Sequence, residues 1–193
     1  MKDLFKFTVE FFGYVLPGLL VLFCSSLFFV DVSNPADLIK KMGEFDTNIG
    51  IAVVITAYIV GLAITPISSF LLFNVGRKIW PGKAENENED MFISDKYVLV
   101  RQFSPTNFEY IEKWNTYSLM TANFSLASLI LFIVSLRYIF FKHVDSLIWV
   151  TIGIVAIVLF FNFLKESVKF RKWADRDLNA TISALKLEGK ELP

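Results

Sequence analysis

The chain has 193 residues, 54% of them hydrophobic and 20% charged, with basic and acidic residues in balance, one His and one Cys. A net charge of zero supplies no basic field for nucleic acid, and a single Cys excludes an internal disulfide framework. The charges avoid four long runs, residues 11–30, 47–76, 114–136 and 146–164, whereas a soluble domain interleaves its charges because each helix or strand needs a wet face.

A bilayer core of ~30 Å needs about 20 helical residues. Each run therefore reads as a membrane span, at about 11–30, 49–76, 115–137 and 146–165. A membrane barrel would alternate in polarity over segments of ~10 residues, and runs such as 126–134 and 152–161 do not. The expected fold is an all-α integral membrane protein, a four-transmembrane-helix bundle with its third and fourth helices extending into the cytoplasm. Fifteen Lys and Arg residues fall on the side that holds both termini and the middle loop 77–113, and four fall on the other. The positive-inside rule then predicts cytoplasmic termini in a bacterial inner membrane.

The first span follows Lys2 and Lys6 and contains Gly13, Pro17 and Gly18. No small-x-small cleavage site follows it, so it is expected to remain as a helix. The outer loop 31–46 carries a helix signal over 35–42, with Leu38, Ile39 and Met42 near one face. The second span carries Ala57, Gly61 and Thr65 at four-residue spacing, the small-residue pattern for close helix approach within the chain or to a second copy. Pro66 should kink this helix.

In the middle loop, the acidic run 83–90 reads as a solvated linker and Tyr97-Val98-Leu99-Val100 as a short apolar patch that docks somewhere. Ser104-Pro105-Thr106 opens the third helix, and Thr106 with Glu109 has capping-box spacing. Trp80, Trp114 and Trp149 flank the runs, as interfacial aromatics do. The second outer loop, 137–145, holds Arg137, Lys142 and His143, placed to meet headgroups or to close two helix ends. The fourth helix is expected to continue over 165–188 as a cytoplasmic arm, with Gly189 as its stop. Phe170, Trp173, Leu178, Ile182 and Leu185 recur at helical spacing on it, a stripe for the third helix, a second copy or a cytoplasmic protein partner.

Asn74, Asn123 and Asn162 fall at a similar inner depth and form a candidate polar cluster between helices. No Asp, Glu, His or Lys lies inside the four uncharged runs, which counts against proton-coupled transport. No H-E-x-x-H, G-x-S-x-G or P-loop spacing occurs, and Asp175 and Asp177 point different ways on a helix. The acidic run offers a divalent cation no fixed geometry. Neither enzyme activity nor a cofactor is expected.

The sequence thus reads as a non-enzymatic, homo-oligomeric membrane module that anchors, senses or forms a pore and couples to a cytoplasmic partner. In layout alone it is similar to the small four-span membrane subunits of bacterial antiphage defence systems. That resemblance implies a partner carrying the effector activity. A small channel or transporter is the other alternative.

Overall fold

A computed structural model describes residues 11–29, 47–81, 92–142 and 146–187. Among the described residues the regular structure is all helical. Helix α1 (Leu16–Phe29) follows a π-turn at Phe11–Val15. Helix α2 (Thr47–Leu71) runs into a π-turn at Leu72–Gly76. Then come α3 (Ile93–Phe103), α4 (Pro105–Arg137) with a π-turn at Tyr138–Lys142, and α5 (Ser146–Ala184). Among the described residues, four helical segments are long and apolar enough to cross a membrane. The outer helix expected at 35–42, the acidic run 83–90, His143 and Gly189 lie outside the described residues.

Helix α4 is the hub. It touches α1 and α2, which also touch each other, and α5 lies along it. Small residues make this possible: Ser118, Ala122, Ser125, Ala127, Ser128 and Ser135 of α4 are all buried. These small side chains let the backbones approach closely, the packing that apolar helices long enough to span a bilayer use together with interhelical hydrogen bonds. Apolar side chains accordingly point outward too, among them Ile51, Ile55 and Ile59 on α2 and Ile154, Val155 and Val158 on α5.

At one end of the bundle, the final carbonyls of α1 have no partner in their own helix. Side chains from the end of α4 close them. The Tyr138 hydroxyl donates to the Leu27 carbonyl at 2.9 Å, and Arg137 Nη1 donates to the Phe28 carbonyl at 2.7 Å. The guanidinium also complements the negative end of the helix dipole. Trp149, expected at an interface, is fully buried here, stacked on Tyr138 with ring centroids 4.0 Å apart. Its ring fills the joint between α4 and α5.

At the opposite end, α3 packs on α4 and α5. Leu99 and Val100 of α3, Ile111 of α4, and Ala174, Leu178, Ile182 and Leu187 form one closed apolar core. The patch expected to dock is therefore the inner face of a helix that periodicity did not announce. The start of α4 also differs from expectation. Ser104, not Thr106, is the N-cap residue, and it makes no side-chain cap bond. Pro105 sets the helical φ at the first position and drives Ser104 out of the helical region (φ −148°, ψ 69°).

The arm ends before Gly189. Lys186 takes a left-handed φ of 49°, the Leu187 N–H bonds to the Ile182 carbonyl, and the Lys186 N–H bonds to the Ser183 carbonyl. This is a Schellman closure with its usual apolar contact, here between Leu187 and Ile182.

Candidate functional site

The second and first helices cross where neither has a side chain in the way. A Cβ built on Gly18 would overlap the Ala57 carbonyl, and one on Gly61 would overlap the Tyr14 backbone. Of Ala57, Gly61 and Thr65, placed by their spacing on a close-packing face, the first two thus meet α1 and the turn before it within this chain, while Thr65 meets Asn123 of α4. The sequence reading missed Gly18 as their counterpart, although it sits one residue after Pro17 in the same run. Tyr14 and Tyr58 pack edge to face beside the crossing, centroids 5.9 Å apart.

Below this crossing lies a buried polar node. Asn123 of α4 is fully buried. Its Nδ2 donates to the Gly13 carbonyl at 2.9 Å and to Thr65 Oγ1 at 3.2 Å, and Ser68 Oγ donates to its Oδ1 at 2.5 Å. The chemistry of Pro17 accounts for the arrangement. Residue 17 has no N–H to return to the carbonyl four residues earlier, which is that of Gly13. An orphan acceptor in hydrocarbon costs several kcal/mol, on the order of an unmade hydrogen bond in an apolar solvent. Asn123 supplies the missing donor, and its own oxygen is satisfied by Ser68. The node therefore joins the turn before α1, α2 and α4 at one point.

The three asparagines are not brought together. Asn74 is exposed and its Nδ2 donates back to the Phe70 carbonyl at 3.0 Å, one turn earlier on its own helix. Asn162 is exposed on the outer side of α5. Similar depth did not translate into proximity, because depth fixes height along a helix and not the face.

Between α4 and α5 runs a serine seam. Ser118 Oγ donates to the Ser167 carbonyl at 2.9 Å, and Ser167 Oγ donates to the Ser118 carbonyl at 2.6 Å. Further along, Ser125 Oγ donates to the Phe160 carbonyl at 3.1 Å, and Gly153 faces Ser135. The reciprocal serine pair welds the two helices at the level where apolar sequence gives way to charge.

Beyond the seam, polar side chains tie the three helices of the polar end. Arg171 of α5 donates to Asn115 of α4 at 2.8 Å, and Asn115 donates to the Tyr97 hydroxyl of α3 at 2.6 Å. Lys96 is buried at 4% exposure, with its ammonium on Asn179 Oδ1 at 3.0 Å. Trp114 Nε1 donates to Asp177 at 3.0 Å, and Arg77 pairs with Asp175 at 3.0 Å. Arg171 Nε lies 3.3 Å from Asp175 Oδ1 without hydrogen-bond alignment. Of the expected arm stripe, Leu178 and Ile182 are buried in the core, and Phe170 and Trp173 pack around Trp114 with centroids 6.0 and 4.9 Å away. Leu185 is exposed, and Leu187, carried inward by the left-handed turn at Lys186, closes the core instead. The stripe is spent inside the chain, on α3 and the start of α4.

Among the described residues no cluster of three His, Cys, Asp or Glu side chains is placed to hold a metal ion. A shallow groove of about 330 Å³ between α4 and α5 is lined by Asn107, Tyr110, Asp177 and Thr181, and its one carboxylate is already engaged by Trp114. The arrangement is suited to holding helices in register, and among the described residues it offers no converging acid–base pair. The chain matches no family model, no curated protein and no solved structure.

Proposed function

We propose that this protein is a non-enzymatic module of a bacterial inner membrane, with both termini in the cytoplasm, which relays helix movement in the bilayer to a cytoplasmic cap and so to a partner protein. One observation carries the reading. Helices α4 and α5, of 33 and 39 residues, pass unbroken from the apolar runs into the packed polar end. A shift of one against the other inside the bilayer must appear in the cap, because the Ser118–Ser167 pair allows little slack between them.

The partner surface in this proposal is α3 and not the arm stripe. Phe92, Ile93, Val98 and Phe103 stand exposed on and beside α3, while Leu178 and Ile182 are covered. Self-association belongs to the proposal as well. With the Ala57–Gly61 face used within the chain, it would engage the outward isoleucines of α2. A photo-crosslinking residue at Val98 in living cells tests the partner surface. The reading expects one discrete cytoplasmic protein captured at Val98 and at Phe103, and none at Ile154 on the lipid-facing side of α5. Equal capture at all three, or none on α3, contradicts it.

A further inference from the structure

Helix α5 carries a basic stripe whose position has a chemical consequence. At about 100° per residue, Lys165, Lys169, Lys172 and Arg176 fall within roughly 60° of one another. Lys165, Lys169 and Arg176 are exposed and Lys172 is half-buried. The buried face of the same helix, marked by Ala156, Phe160, Leu164, Ala174 and Leu178, lies on the opposite side. Toward the apolar end, the basic stripe continues as Phe161, Val158, Ile154 and Leu147, which are 44%, 51%, 59% and 78% exposed. One outward face thus changes from apolar to cationic at Lys165 without rotating. A face that is apolar and then cationic in one line matches the acyl chains of a leaflet and then its phosphates.

The carboxylates of α5 flank the stripe and are engaged. Glu166 pairs with Lys169, Asp175 with Arg77 and Arg171, and Asp177 with Trp114 and Arg176. Lys165 and Lys172 have no ion pair among the described residues. From Lys165 to Lys172 the helix rises about 10 Å. That is close to the thickness of one headgroup layer plus the reach of a snorkelling lysine.

We propose that Lys165, Lys169 and Lys172 form a binding surface for anionic phospholipid in the leaflet bordering the polar end, with the lipid's acyl chains along Phe161, Val158 and Ile154. The proposal rests on the membrane reading above and adds a lipid of defined charge to it. Each lysine near an anionic surface strengthens attraction about fivefold.

The test uses the purified full chain in non-ionic detergent, titrated with phosphatidylglycerol or phosphatidylcholine, with bound lipids counted by native mass spectrometry. Wild type should bind phosphatidylglycerol at least tenfold more tightly than phosphatidylcholine. The triple variant Lys165→Gln, Lys169→Gln, Lys172→Gln should bring that ratio near one. Replacing the same three lysines by Arg should preserve the ratio, as should Arg101→Gln on α3. Equal binding of the two lipids by wild type, or a preference that survives in the Gln variant, overturns the proposal. Carbonate extraction of the same proteins from membranes separates the two levels. Release of wild type defeats the membrane reading and this surface with it, whereas retention without lipid preference defeats the surface alone.

Discussion

At the scale of single residues, two positions hold more of the structure than their size suggests. Asn123, itself fully buried, answers an acceptor that Pro17 leaves open. Asn123→Ala leaves the Gly13 carbonyl without its side-chain donor and should cost about 1–3 kcal/mol, read as a lowered thermal midpoint in detergent. Asn162→Ala and Asn74→Ala, on exposed side chains, should each stay within about 0.5 kcal/mol. Equal losses at all three asparagines would contradict the node. Lys186 occupies a left-handed position that glycine takes freely. Lys186→Gly should therefore stabilise the arm by several tenths to about 1 kcal/mol, checked by the melting of the full chain. A destabilised Gly variant would show that the turn is held by something other than its backbone.

At the scale of elements, the α1–α2 crossing and the docking of α3 make separate demands. Gly61→Val places methyl groups against the Tyr14 backbone and should separate the two helices, with a loss of about 3 kcal/mol or more. Gly50→Ala, where a Cβ meets nothing within 4 Å, should be neutral or slightly stabilising. If both substitutions behave alike in thermal melts, the crossing is not where the glycines place it. Helix α3 has 11 residues and would be marginal in isolation. It forms because Leu99 and Val100 enter the core of the polar end. Leu99→Ala should cost about 2–4 kcal/mol and speed amide hydrogen exchange throughout α3 while sparing the centre of α4. Uniform exchange across both helices would mean that α3 is not a separate docking unit.

The same distinction explains what the sequence made legible. The four apolar helices were readable because exclusion of charge is a one-dimensional property, counted along the chain. The small-residue face on α2 was readable because its four-residue period is local. The partner of that face, the partner of Asn123 and the fate of the arm stripe were not, since each depends on which face of one helix meets which face of another. Helix α3 was half-visible as Tyr97–Val100. The spacing of Lys96, Leu99, Val100 and Phe103 was helical, but the charged residues at Lys96 and Arg101 masked it. The serine seam lay within an uncharged run, where a serine reads as filler until its carbonyl partner is known.

At the scale of the molecule, the surface divides in two. Isoleucine, valine and phenylalanine cover much of the outside of α2 and α5 over their apolar runs, while the ion pairs among the described residues gather at one end. A soluble monomer rarely exposes contiguous apolar surface beyond several hundred Å². The account as a whole depends on a bilayer meeting that surface, with the polar end in water on one side. Cysteine accessibility in sealed membrane vesicles measures this directly, because native Cys24 is fully buried and adds no background. With a membrane-impermeant maleimide, Tyr110→Cys and Arg176→Cys should label from one and the same side only, and Ile55→Cys and Val155→Cys should label from neither. Labelling of Ile55→Cys from the aqueous phase, or of Tyr110→Cys and Arg176→Cys from opposite sides, would contradict it.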